Sequence, residues 1–172
     1  MDFRTLLTNF PSGAEKELYI QEVLNSVSEF GTLLDLALYE KDPLAWRAAW
    51  ILDGSDEQSA GLASAYIPDI IHRLPGIEST GTLRCLLRLL CRYDIREEDQ
   101  GILIDLCFSY LVSELYPVAV KVHAMQIIYQ HVLIYPELKE ELITVIGDQL
   151  NNNTIGFKAR GMRLLGEMEK MN

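Results

Sequence analysis

Eight of the chain's 15 lysines and arginines fall in four segments that contain none of its 25 aspartates and glutamates. The segments are residues 43–52, 80–92, 117–133 and 154–165, and the bases are Arg47, Arg84, Arg88, Arg92, Lys121, Lys158, Arg160 and Arg163, joined by His123 and His131. Guanidinium forks and ammonium groups recognise carboxylates and phosphates, so this grouping points to anion recognition. Catalytic constellations are hard to find beside it. There is no phosphate-binding loop, dinucleotide fingerprint, HExxH, EF-hand loop or Gly-x-Ser-x-Gly. His123 and His131 would stand about 12 Å apart along a helix, too far to chelate one metal. Cys85, Cys91 and Cys107 form no CxxC, and no metal site or cofactor is expected. The acids Glu97-Glu98-Asp99 and Glu137/Glu140/Glu141 open helical segments, where they favour the helix dipole.

The elements that carry these bases repeat. An apolar residue followed by a base occurs at Trp46-Arg47, Leu83-Arg84, Val120-Lys121 and Phe157-Lys158, successive pairs standing 37 residues apart. Glu29, Tyr66, Leu103 and Glu140 mark a preceding helical segment at the same period, and breakers such as Asp42-Pro43, Pro75-Gly76 and Tyr116-Pro117 separate the segments. Within 117–133, Val120, Ala124, Ile127, Ile128 and Val132 follow a 3.6-residue period. The reading gives helices near 2–10, 14–27, 29–40, 43–53, 60–73, 81–93, 99–113, 117–134, 136–150 and 154–169. Pro43 and Pro117 fit first turns, and Asp42 and Thr154 fit N-caps. One domain over 1–172 is expected: a helical cap at 1–27, then helix pairs at 28–53, 60–93, 99–134 and 136–169, stacked because one pair cannot bury its own apolar face.

Composition agrees with a globular chain: 49% hydrophobic and 23% charged residues, with a net charge of −10. The N-terminus lacks the pattern of a signal peptide, no stretch reads as a membrane span, and three cysteines suit a reducing compartment, so a cytoplasmic location is expected. The Trp46/Trp50 pair, at i and i+4, reads as packing.

The segment Asp42-Pro43-Leu44-Ala45-Trp46-Arg47-Ala48-Ala49 resembles the second helix of a HEAT repeat: an acidic or proline-containing turn, a hydrophobic–base pair, then small residues. Pro68 resembles the proline kink of the first helix. The likeness covers about residues 28–169, although Ser79, Tyr116 and Asn153 replace the acid at the positions equivalent to Asp42. It implies a right-handed α-solenoid of about four helix pairs, with the second helices lining the concave face. The chain also resembles small bacterial HEAT-like proteins of unassigned function, some labelled adenylosuccinate lyase; that family's Met-Pro-x-Lys-x-Asn core is absent here.

On this arrangement, helix geometry separates the bases. Arg47, Arg84, Lys121 and Lys158 lie amid the apolar arc and are expected to be a structural ladder, stems packed and charges snorkelling. The opposite stripe reads Leu86, Leu89 and Tyr93, then His123, Gln126 and Gln130, then Arg160 and Arg163. It is expected to form a groove running from apolar through polar to basic. The function expected is a noncatalytic scaffold that binds an acidic or amphipathic protein segment. The alternative is a nucleic-acid binder similar to the HEAT-like alkylpurine DNA glycosylases, which the net charge of −10 disfavours. An end-to-end dimer is a further alternative.

Overall fold

A computed structural model describes residues 1–9 and 12–171; Phe10, where the expected 2–10 helix ends, Pro11 and Asn172 lie outside the described residues. Among the described residues there are ten α-helices and no strand. They form two compact units, Met1–Asp94 and Ile95–Asn172.

The first unit holds α1 (Phe3–Leu6), α2 (Gly13–Asn25), α3 (Val27–Tyr39), α4 (Leu44–Gln58), α5 (Ile67–Arg73) and α6 (Thr80–Leu90). A reciprocal capping box starts α2: Ser12 Oγ accepts from the Glu15 amide at 3.2 Å, and Glu15 Oε2 accepts from the Ser12 amide at 2.8 Å. Asp42 acts from one residue ahead of the Pro43 cap, accepting from the Trp46 amide at 3.3 Å. Helix α4 is the hub, packing on α2, α3 and α6, and its Ala45, Ala48, Ala49, Ile51 and Leu52 are buried. Small residues there let three helices approach one.

Two expectations change in this unit. The helix expected over 60–73 begins as a 3-10 turn at Ser64–Tyr66, and Pro68 sits in the first turn of α5 rather than kinking a helix from within. There its missing N–H costs no hydrogen bond. Helix α4, expected to stop at 53, continues to Gln58 and buries Asp53, Gly54, Ser55 and Asp56.

The second unit holds α7 (Glu97–Val112), α8 (Val118–Val132), α9 (Lys139–Leu150) and α10 (Ile155–Glu169). Acids in the first turns of α7 and α9 complement the helix dipole. Thr154 caps α10 as expected, accepting from the Phe157 amide at 3.5 Å. Helix α8 packs on α7, α9 and α10, and its expected arc of Val120, Ala124, Ile127, Ile128 and Val132 is fully buried. Phe157, Leu164 and Met168 of α10 and Leu142 and Ile146 of α9 complete this core. Burying each large apolar side chain is worth roughly 1.5–3 kcal/mol, which fixes the rotation of α8 and α10 and so the residues left outside.

Candidate functional site

Which bases remain available to a partner depends on what each one already meets. In the first unit, Arg92 donates from Nε to Asp56 Oδ2 at 2.9 Å and from Nη2 to Asp53 Oδ1 at 3.0 Å. Arg88 donates from Nη1 to Asp53 Oδ2 at 2.8 Å and also reaches Glu57. The Tyr93 hydroxyl donates to Asp56 and accepts from the amides of Gly61 and Ala63, at 3.2 and 3.1 Å. Gly61 adopts φ +99°, which turns the chain under that hydroxyl. The acids carried by the tail of α4 thus neutralise two of the eight bases. Asp53 and Asp56 are 2% and 1% exposed, and a buried carboxylate is tolerated only when paired and hydrogen-bonded. Even so, burial raises the Asp53 carboxyl above its ordinary value, outweighing the pull of Arg88 and Arg92.

Sequence reasoning missed this cluster, because Asp53-Gly54-Ser55-Asp56 reads as a turn. The available signal was Arg88 and Arg92, which lie 35 and 36 residues beyond Asp53 and Asp56 and so keep one repeat-like register.

The first-unit members of the expected groove are also corrected. Leu86 and Leu89 are 0% and 1% exposed, core residues of a helix that buries Leu83, Cys85, Leu87 and Leu90 as well. Arg84 and Arg88 mark the opposite side of this helix, so the two leucines lie on its buried apolar face and not on an open one. Tyr93 is half-buried and engaged with Asp56.

The leading bases have separate fates. Arg47 Nη1 donates to the carbonyls of Leu7 and Thr8 at 2.8 and 2.7 Å, tying the segment after α1 to α4. Lys121, 7% exposed, donates to Gln149 Oε1 at 2.9 Å, and Gln149 in turn donates to the Leu111 carbonyl at 3.0 Å. Burial lowers the pKa of the Lys121 ammonium. Arg84 donates to the Cys85 sulfur at 3.7 Å, and Lys158 is half-buried.

In the second unit, α8 and α10 bring three expected residues to one point. Arg160 Nη1 and Arg163 Nη2 each donate to Gln126 Oε1 at 2.8 Å. Two guanidinium groups therefore converge on one neutral oxygen. Arg163 is 53% exposed and meets Glu167 at 3.9 Å, while Arg160 has no ion pair among the described residues. Tyr129, whose phenol pKa is raised by burial and by its hydrogen bond to Glu167, holds that carboxylate from α8. His123 and Gln130 are half-buried on α8, and Met162, the residue before Arg163 in α10, is 65% exposed. A neutral amide accepting from two cations leaves most of their ten N–H donors for an incoming anion.

Among the described residues no group of three or more histidines, cysteines, aspartates or glutamates is placed to hold a metal ion. No helix among them is long and apolar enough to cross a membrane.

A family model described as a HEAT repeat domain matches residues 4–165. No curated protein and no solved structure gives a significant match. The match spans nearly the whole chain, and the all-helical structure agrees with it: the chain belongs to the HEAT repeat family.

Proposed function

We propose that this chain is a noncatalytic interaction scaffold, and that the α8–α10 face receives an acidic, amphipathic protein segment. HEAT repeats are commonly protein-interaction scaffolds, which supports the general role. The observation that carries the finer reading is the convergence of Arg160 and Arg163 on Gln126 Oε1. A carboxylate arriving there exchanges a neutral acceptor for a charged one, and charge-assisted hydrogen bonds are roughly twice as strong. Exposed Met162, the residue before Arg163, gives the apolar side of the segment a contact. Nucleic acid is the weaker candidate: the chain carries a net charge of −10, and Glu167 stands within 3.9 Å of Arg163.

Titration calorimetry with a capped peptide of alternating Glu and Leu tests this. Wild type is expected to bind it, and Arg160→Gln/Arg163→Gln to weaken binding roughly tenfold or more, the scale of losing a charge pair. Equal binding by wild type and variant would overturn the α8–α10 assignment.

A further inference from the structure

A second anion-recognition point rests on residues of the first unit alone. Arg84 and Arg88 of helix α6, and Arg92 just beyond its end, follow one another at i, i+4 and i+8. Arg88 and Arg92 are held by Asp53, Asp56 and Glu57, whereas among the described residues the acceptor of Arg84 is a thiol at 3.7 Å. Burial pushes the Cys85 thiol up to about 11, so that acceptor is neutral and weak. Lys16 of α2 places its ammonium 4.3 Å from the centre of the Trp50 ring. Neither Lys16 nor Arg84 is in an ion pair among the described residues, and both are half-buried.

The register of α4 and α6 sets Arg84 level with the stretch of α4 that carries Trp50, the ring that Lys16 covers. Gly81 packs against Trp46, where an added Cβ would stand 3.1 Å from the Trp46 Cβ, and Arg88 meets Asp53. Both contacts pair residues 35 apart, so Arg84 lies level with Ala49 and Trp50. Lys16 crosses the same turn from the other side, its side chain running over Gly54. Trp46 and Trp50 are half-buried with ring centres 6.1 Å apart, Trp50 beneath Lys16 and Trp46 with the Arg47 guanidinium 5.8 Å from its ring centre, and their remaining surface is apolar.

We propose that Lys16, Arg84 and the Trp46–Trp50 pair bind a protein segment carrying a carboxylate beside an apolar side chain. The carboxylate sits between the ammonium and the guanidinium, and the apolar group rests on the indoles. A polyanion fits less well. Exposed Glu15, Glu17 and Glu57 border the same helices and repel a run of phosphates.

Trp46 and Trp50 are the chain's two tryptophans, so intrinsic tryptophan emission reports on this patch. The probes are a capped Glu–Leu peptide, the same peptide with Gln for Glu, and a ten-nucleotide oligothymidylate. The Glu peptide is expected to give a saturable emission change, with a midpoint raised roughly fivefold or more by Lys16→Gln and by Arg84→Gln and unmoved by Arg163→Gln. Circular dichroism confirms that each variant stays folded. An equal response to the Gln peptide, no emission change, or midpoints unmoved by both Lys16→Gln and Arg84→Gln overturns the proposal. A tighter response to the oligonucleotide replaces it with a nucleic-acid surface. A response lost only in Arg163→Gln overturns it and leaves the α8–α10 reading standing.

Discussion

Asp56 shows how one buried side chain organises its surroundings. It accepts from Arg92, from the Tyr93 hydroxyl and, at 3.3 Å, from the Ala63 amide, joining the end of α4, the loop after it and the turn that follows α6. Asp56→Ala leaves these donors without their acceptor. With the Arg92 side chain 27% exposed, the expected loss is about 2–3 kcal/mol, below the range for a fully buried pair. Urea denaturation checks this, and an unchanged midpoint would remove Asp56 from that role. Asp53 gives a separate signature. Because burial raises its folded pKa, folding favours the protonated form. Its contribution is fully present below the unfolded value of about 3.9 and is lost as pH rises through the folded value. Asp53→Asn, neutral throughout, is therefore expected to gain stability relative to wild type as pH rises from about 4 to about 7. A relative loss over that range would mean that the arginines, not burial, govern Asp53.

Helix packing makes its own predictions. At Gly161 of α10 an added Cβ would stand 2.9 Å from Ile146 Cγ2 and 3.2 Å from Leu150 Cδ2, whereas at Gly147 of α9 it would meet nothing within 4 Å. Gly161→Ala is expected to cost about 1–2 kcal/mol as α9 is pushed away. Gly147→Ala is expected to add about 0.5–1 kcal/mol of helix propensity. Thermal melts of the two variants moving in the same direction would contradict this account of the α9–α10 contact. The same level shows what could be read from the sequence. The 37-residue period and the apolar arcs located most of the helices, because a buried stripe follows from local periodicity. The tail of α4 was illegible for the opposite reason: Asp53-Gly54-Ser55-Asp56 has turn chemistry, and its helical state depends on Arg88 and Arg92 one repeat away. Leu86 and Leu89 misled because the stripe was set opposite a leading base taken to lie amid the apolar arc, whereas in α6 Arg84 shares the less buried side with Arg88 and the leucines opposite them are core.

For the whole molecule, the separation of bases from acids seen along the chain is partly cancelled by folding. Arg88 and Arg92 are neutralised, while Arg47 and Lys121 hold neutral acceptors of the fold. Arg160 and Arg163, converging on Gln126, were legible as candidates because their stripe positions are polar; their shared acceptor was not, since it depends on the packing of α8 against α10. The central claim is that this pair receives an acidic protein segment. Affinity capture from the source cell's lysate, with and without nuclease, tests it most directly, using wild type and an Arg160→Gln/Arg163→Gln variant shown by circular dichroism to be folded. The account predicts a protein partner that survives nuclease with wild type and is lost with the variant. Capture of the same material by both forms, or recovery that disappears with nuclease, would contradict it.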